Sequence, residues 1–192
     1  DLYCKLFDPA KDQLVDSGYI NPDVSKSFNY TTSFAKPGLY YVTVFGGGGT
    51  KNSYSLRVTI TNQNDANKGL DAGDDFPGIK LGPGTNYPGW MFDGDTKDFY
   101  NTNLTNGQIL TVNLTVGTII AGHTQYLKLY DAAKVQVAAT DYVNPGTTGS
   151  MQFTSSYETA GIYYLQVLGS ENDYKFSVDI KNQTDAGTQM DA

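Results

Sequence analysis

Tyr174–Ile180 reads YKFSVDI. Every second residue, Tyr174, Phe176, Val178 and Ile180, is apolar, while Lys175, Ser177 and Asp179 lie between. A period of two is what a half-buried β-strand requires, because successive side chains point to opposite faces of a sheet. Tyr54–Ile60, YSLRVTI, repeats the pattern, and Leu110–Val116, LTVNLTV, alternates apolar residues with Thr111, Asn113 and Thr115. Asn106-Gly107 and Pro37-Gly38 punctuate the runs as turns. No helical stretch exceeds about two turns. Short alternating strands with frequent turn signals predict an all-β chain of tandem antiparallel β-sandwich domains, jelly-roll or immunoglobulin-like.

The two strands YKFSVDI and YSLRVTI belong to a longer internal match with a period of about 120 residues. YCKLFDPAK from Tyr3 answers YLKLYDAAK from Tyr126, and FNYTTSFAKPGLYYVTVFG from Phe28 answers MQFTSSYETAGIYYLQVLG from Met151. The polar string NQNDANKGLDA at Asn62–Ala72 returns as NQTDAGTQMDA at Asn182–Ala192. The expected organisation is the C-terminal part of a first repeat (1–62), a linker (63–75), a complete repeat (76–183) and a linker-like tail (184–192). An incomplete sandwich would expose its inner face and leave strand edges open. The missing strands are therefore expected from the same polypeptide or from a neighbouring subunit by strand addition, which would make a filament natural.

Among the 192 residues, aspartates supply 18 of the 20 acids, tyrosines number 15, and Arg57 is the single arginine. Asp, Asn, Thr and Gly in such numbers suit turns and strand faces, not helices. A net charge of −7 with no basic cluster argues against a nucleic-acid partner and leaves divalent cations open. Apolar stretches such as Gly117–Gly122 fall far short of the roughly 20 residues that span a bilayer. No basic, apolar leader opens the chain, so any secretion signal is expected to have been removed or to lie outside this sequence. Cys4 is alone, and its repeat counterpart is Leu127, which predicts an inert buried thiol. His123 has no second His or Cys to share a metal and reads as a loop residue. No Ser sits in a nucleophile elbow, Glu158 and Glu171 do not pair for glycoside hydrolysis, and Gly46–Thr50 lacks the Lys-Ser/Thr of a phosphate loop. The chain is expected not to be an enzyme.

Four stretches, GDTKDFY (Gly94–Tyr100), TNGQILTVNL (Thr105–Leu114), YLKLYDAAK and AGIYYLQV (Ala160–Val167), resemble the pre-peptidase C-terminal domain, a small β-sandwich found in tandem on secreted bacterial and archaeal proteins. Thr102 departs from it, standing where that family more often places an aromatic residue. The resemblance implies an extracellular or cell-surface location and calcium near the first strand, as in secreted collagenases. The acids that would hold calcium are Asp71, Asp74 and Asp75 in the linker and Asp93, Asp95 and Asp98 in the loop that follows. Alternate carboxylates in a Gly-containing loop can converge on a hard cation that takes six to eight oxygens. The alternative is a solvated turn with Asp95 or Asp98 capping backbone amides.

Sequons occur at Asn29, Asn103, Asn113 and Asn182, the first three on polar, outward strand faces where a glycan fits and the last just past a strand end. Tyr41 and Tyr164 are expected to face outward, where they would stack on sugars or peptide, or pack across strands. Three functions follow: a structural, adhesion or fibre and surface-layer component; the accessory region of a secreted subtilisin-like peptidase; or a carbohydrate- or protein-binding module.

Overall fold

The structure, a computed structural model, describes residues 2–32, 38–47, 53–92 and 95–184. It forms two compact units, Asp1–Thr61 and Asn62–Ala192. The second contains β4 (Ile79–Lys80), β5 (Gly84–Met91), β6 (Lys97–Leu104), β7 (Gln108–Val116), β8 (Gln125–Tyr130), β9 (Gln136–Ala139), β10 (Thr148–Thr154), β11 (Gly161–Gly169) and β12 (Asn172–Asn182). They make a four-stranded sheet, β10-β7-β12-β5, and a five-stranded sheet, β4-β6-β11-β8-β9. All pairings are antiparallel except β4 with β6. The fold is a β-sandwich.

Alternation in the sequence becomes alternation in burial. β7 and β12 turn Leu110, Val112, Leu114, Tyr174, Phe176 and Val178 inward, against Tyr100, Leu127, Leu129, Tyr163, Leu165 and Val167 of the other sheet. β6 is the exception, because five consecutive residues from Asp98 to Thr102 are buried. Its outward side is roofed by the segment before β4. Phe76 packs on Phe99 at 4.6 Å between ring centroids, and Asn101 Nδ2 donates to the carbonyls of Pro77 (3.0 Å) and Gly78 (3.1 Å). Gly78 has a left-handed φ of 67°, and a Cβ there would stand 1.9 Å from the Phe99 carbonyl oxygen. Only glycine lets the segment lie this close to the sheet. Thr102 lies on the inward face of β6 and is buried.

The first unit holds β1 (Leu2–Phe7), β2 (Gln13–Asp16) and β3 (Tyr41–Gly46), ordered β2-β1-β3. By the repeat these answer β9, β8 and β11, one half of the sandwich. The expected strand at Tyr54–Ile60 does not form, and neither does the strand face expected around Asn29. The reason lies in pairing. Their counterparts β12 and β10 find ladder partners in β5 and β7, and the described residues of the first unit contain no equivalent of either. Backbone polar groups without a ladder stay with water, and the apolar row stays exposed. Val58 is 58% exposed where Val178 is 4%, and Val42 is 36% exposed where Leu165 is 4%. Cys4 is buried, and burial raises its thiol pKa, which suits an inert thiol. No helix among the described residues is long and apolar enough to cross a membrane.

Candidate metal centre

One 3-10 turn, Asp65–Asn67, opens the second unit. Left-handed φ values at Ala66 (50°) and Asn67 (59°) curl it tightly and bury Asp65 completely. Asp65 then joins two parts of the chain: its Oδ2 accepts from the Ala72 amide (2.9 Å) and its Oδ1 from the Trp90 amide of β5 (3.1 Å). Asp71 turns back on itself, accepting from the Gly73 amide at 3.0 Å. Asp98, second in β6, shares the inward face with Tyr100 at the rim of the core. Tyr174 of β12 donates its hydroxyl to Asp98 Oδ2, so the Tyr100 hydroxyl, 2.7 Å away, donates to Tyr174. Gly89 of β5 permits this geometry, since a Cβ there would lie 2.0 Å from the Tyr174 ring.

Carboxylate oxygens of Asp65, Asp71 and Asp98 come within 4.8 Å of one another. Asp95, wholly buried in the loop before β6, has no hydrogen-bond partner on either oxygen, and Asp98 Oδ1 and Asp74 Oδ1 are equally bare. Among the described residues no Lys or Arg pairs with any of the five. Burial, and then Asp71, Asp74 and Asp65, push the Asp95 carboxyl up to about 8, although the Lys97 amide pulls the other way. Burial and Asp71 push Asp65 up to about 7, although amides at Ala72 and Trp90 pull the other way. Asp98 is raised by burial first, then by Asp65 and Asp95; Asp71 rises mainly through burial.

Buried carboxylates aimed at one another without cations are costly. Two conditions relieve them, protonation or a bound cation. An all-oxygen donor set without His or Cys suits a hard divalent ion, Ca²⁺ above Zn²⁺. The residues therefore fit calcium, with Asp65, Asp71, Asp74, Asp95 and Asp98 as the available donors. Of the acids expected from the sequence, Asp75 stands apart, accepting from the Phe76 amide at 2.7 Å, and Asp93 lies outside the described residues. Asp65 was not singled out by sequence reasoning. A signal existed: NQNDANKGLDA and NQTDAGTQMDA keep aspartate at both the Asp65 and Asp71 positions, with Asp185 and Asp191 in the second copy.

The remaining candidates scatter. Asn29, Asn103 and Asn182 are exposed, and Asn182 Oδ1 accepts from Gln108 Nε2 at 3.2 Å. Asn113 is half-buried and donates to Ser177 Oγ at 3.2 Å. Tyr41 is exposed, but Tyr164 is half-buried with its ring 4.9 Å from that of Phe76. His123 Nδ1 lies 2.8 Å from the Glu171 carbonyl oxygen.

Fold and site together define a β-sandwich module with a buried acidic centre where its leading segment meets the sheets. No family model and no curated protein matches the chain. Twelve chains of solved structures do. One is the pre-peptidase C-terminal domain of collagenase from Bacillus anthracis, 20% identical, covering 53% of this chain and 93% of that one with a TM-score of 0.44. Another is the structure of infectious bursal disease virus Gx strain, 12% identical, covering 93% of this chain and 51% of that one with a TM-score of 0.31.

Proposed function

We propose that this chain is a non-catalytic, extracellular β-sandwich array protein, serving as a structural, adhesion or fibre and surface-layer component and stabilised by calcium. One observation carries the calcium part: the carboxylates of Asp65, Asp71 and Asp98 converge, and Asp98 Oδ1 is buried without a partner. The ion would sit among Asp65, Asp71, Asp74, Asp95 and Asp98 and offset their mutual repulsion. Because Asp65 and Asp71 belong to the leading segment while Asp95 and Asp98 belong to the β5–β6 loop and β6, calcium would bind the two together. Four sequons support glycosylation and an extracellular setting. The half-sandwich of the first unit supports completion by strands from elsewhere in the same polypeptide or from a neighbouring subunit. The motif resemblance keeps a second reading, the accessory region of a secreted subtilisin-like peptidase; a catalytic domain in the parent reading frame would select it.

The test is a thermal melt in calcium and in chelator. Saturation at a hundredfold over Kd contributes about 2.7 kcal/mol, or roughly 5–10 °C for a unit of this size. An unchanged midpoint after complete metal removal would overturn the calcium reading.

A further inference from the structure

The outer face of the five-stranded sheet carries a filled socket. Phe76 sits among Phe99, Tyr130 and Tyr164, with ring centroids at 4.6, 5.5 and 4.9 Å, and Lys134 Nζ lies 4.7 Å over its ring. Tyr130 and Tyr164 are register partners where β8 meets β11. Lys134 is placed by a left-handed turn, φ 64°, in which its amide and the Val135 amide both bond to Asp131.

The first unit rebuilds three of these four walls. Phe7 and Tyr41 are register partners where β1 meets β3. Lys11 has φ 72°, and its amide and the Asp12 amide both bond to Asp8, as in the other turn. What differs is occupancy by protein. No described residue of the first unit answers Phe99 or Phe76, and the β3 edge that β11 gives to β6 pairs with no described residue. Tyr41 is 37% exposed in consequence.

We propose that the β3 edge and the Phe7–Tyr41–Lys11 face bind an antiparallel strand of a partner polypeptide, which is preceded by an acidic Phe-Pro segment. The strand brings an aromatic residue to the place of Phe99, and the phenylalanine of the Phe-Pro segment fills the socket beneath Lys11. This rests on the reading of the chain as a module completed from outside, and names the chemistry that completes it. The second unit supplies the template: Asp74-Asp75-Phe76-Pro77-Gly78, then β4 and β5, and then β6, which pairs antiparallel with β11 from Leu104 opposite Gly161 to Lys97 opposite Leu168. A second copy of this chain is the poorer donor, because its β6 would have to leave a core in which Tyr100 is wholly buried.

The probe is a fluorescent synthetic peptide with the sequence of residues 73–104, titrated into the full chain in calcium. Saturable one-to-one binding is expected, with slowed amide exchange at Tyr41–Gly46. Tyr41→Ala and Lys11→Ala in the chain, and Phe76→Ala in the peptide, should each weaken binding about five- to tenfold. A peptide that does not bind, binding indifferent to Tyr41→Ala and Lys11→Ala, or protection confined to the second unit would overturn the proposal. Self-association without peptide, with protection at β3, would overturn the distinct partner in favour of a second copy, and protection at β3 by residues preceding Asp1 in a longer parent chain would overturn it in favour of the same polypeptide. Phe7, Lys11 and Tyr41 lie outside the acidic centre, so failure here is separable from failure of the calcium melt.

Discussion

Asp95 is buried among Asp71, Asp74 and Asp65, and of the protein groups around it only the Lys97 amide favours its charge. In metal-stripped buffer at pH 8, Asp95→Asn should raise the melting midpoint by roughly 2–5 °C by removing one repelling charge. The same substitution should erase the calcium increment. A variant that melts lower in both conditions would mean that Asp95 has a structural partner instead. The pH dependence follows from the same groups. Asp65 and Asp95 ionise at about 7 and about 8 when folded, against an ordinary 3.8. Between those values the folded chain holds more protons than the unfolded chain, so metal-free stability falls as pH rises from about 4 to about 8. Calcium favours the ionised form, and its increment should grow over the same window. Melts at pH 4, 6 and 8 with and without calcium read both slopes. Tyr174→Phe removes the hydroxyl that joins Asp98 to Tyr100, and should cost about 1–3 kcal/mol in a denaturant melt.

Elements in the two repeats share sequence but not fate. YKFSVDI forms β12 between β5 and β7, while YSLRVTI forms no strand, with Ile60 89% exposed. Alternation prepares a face; a ladder needs a neighbour to accept its backbone bonds. Amides of Tyr174–Ile180 should therefore exchange orders of magnitude more slowly than those of Tyr54–Ile60, as read by hydrogen-exchange mass spectrometry. Equal protection in the two stretches would mean that the first unit pairs its strand by some other route. The segment before β4 shows a different dependence, since Phe76 has little local reason for order and gains it from Phe99, Tyr130, Tyr164 and Lys134.

At the scale of the whole molecule, a closed sandwich and a half-sandwich should not unfold alike. The second unit has two sheets sharing one apolar core; the first has one three-stranded sheet with much of its apolar surface in water. The first should lose structure early and gradually with denaturant, the second later, cooperatively and with a calcium-dependent midpoint. Residue-resolved exchange across a urea series would separate the two transitions. Strand-forming alternation, turn punctuation and the internal repeat were all legible in the sequence, because each depends on residues a few positions apart or on direct self-comparison. So was the accumulation of aspartate around residues 71–98. Tertiary structure decided the rest: that Asp65 joins Asp71 and Asp98, that Phe76 covers Tyr164, and that one copy of a strand pairs while the other does not. Each of these depends on which distant backbone stands beside a residue, and local sequence carries no record of that.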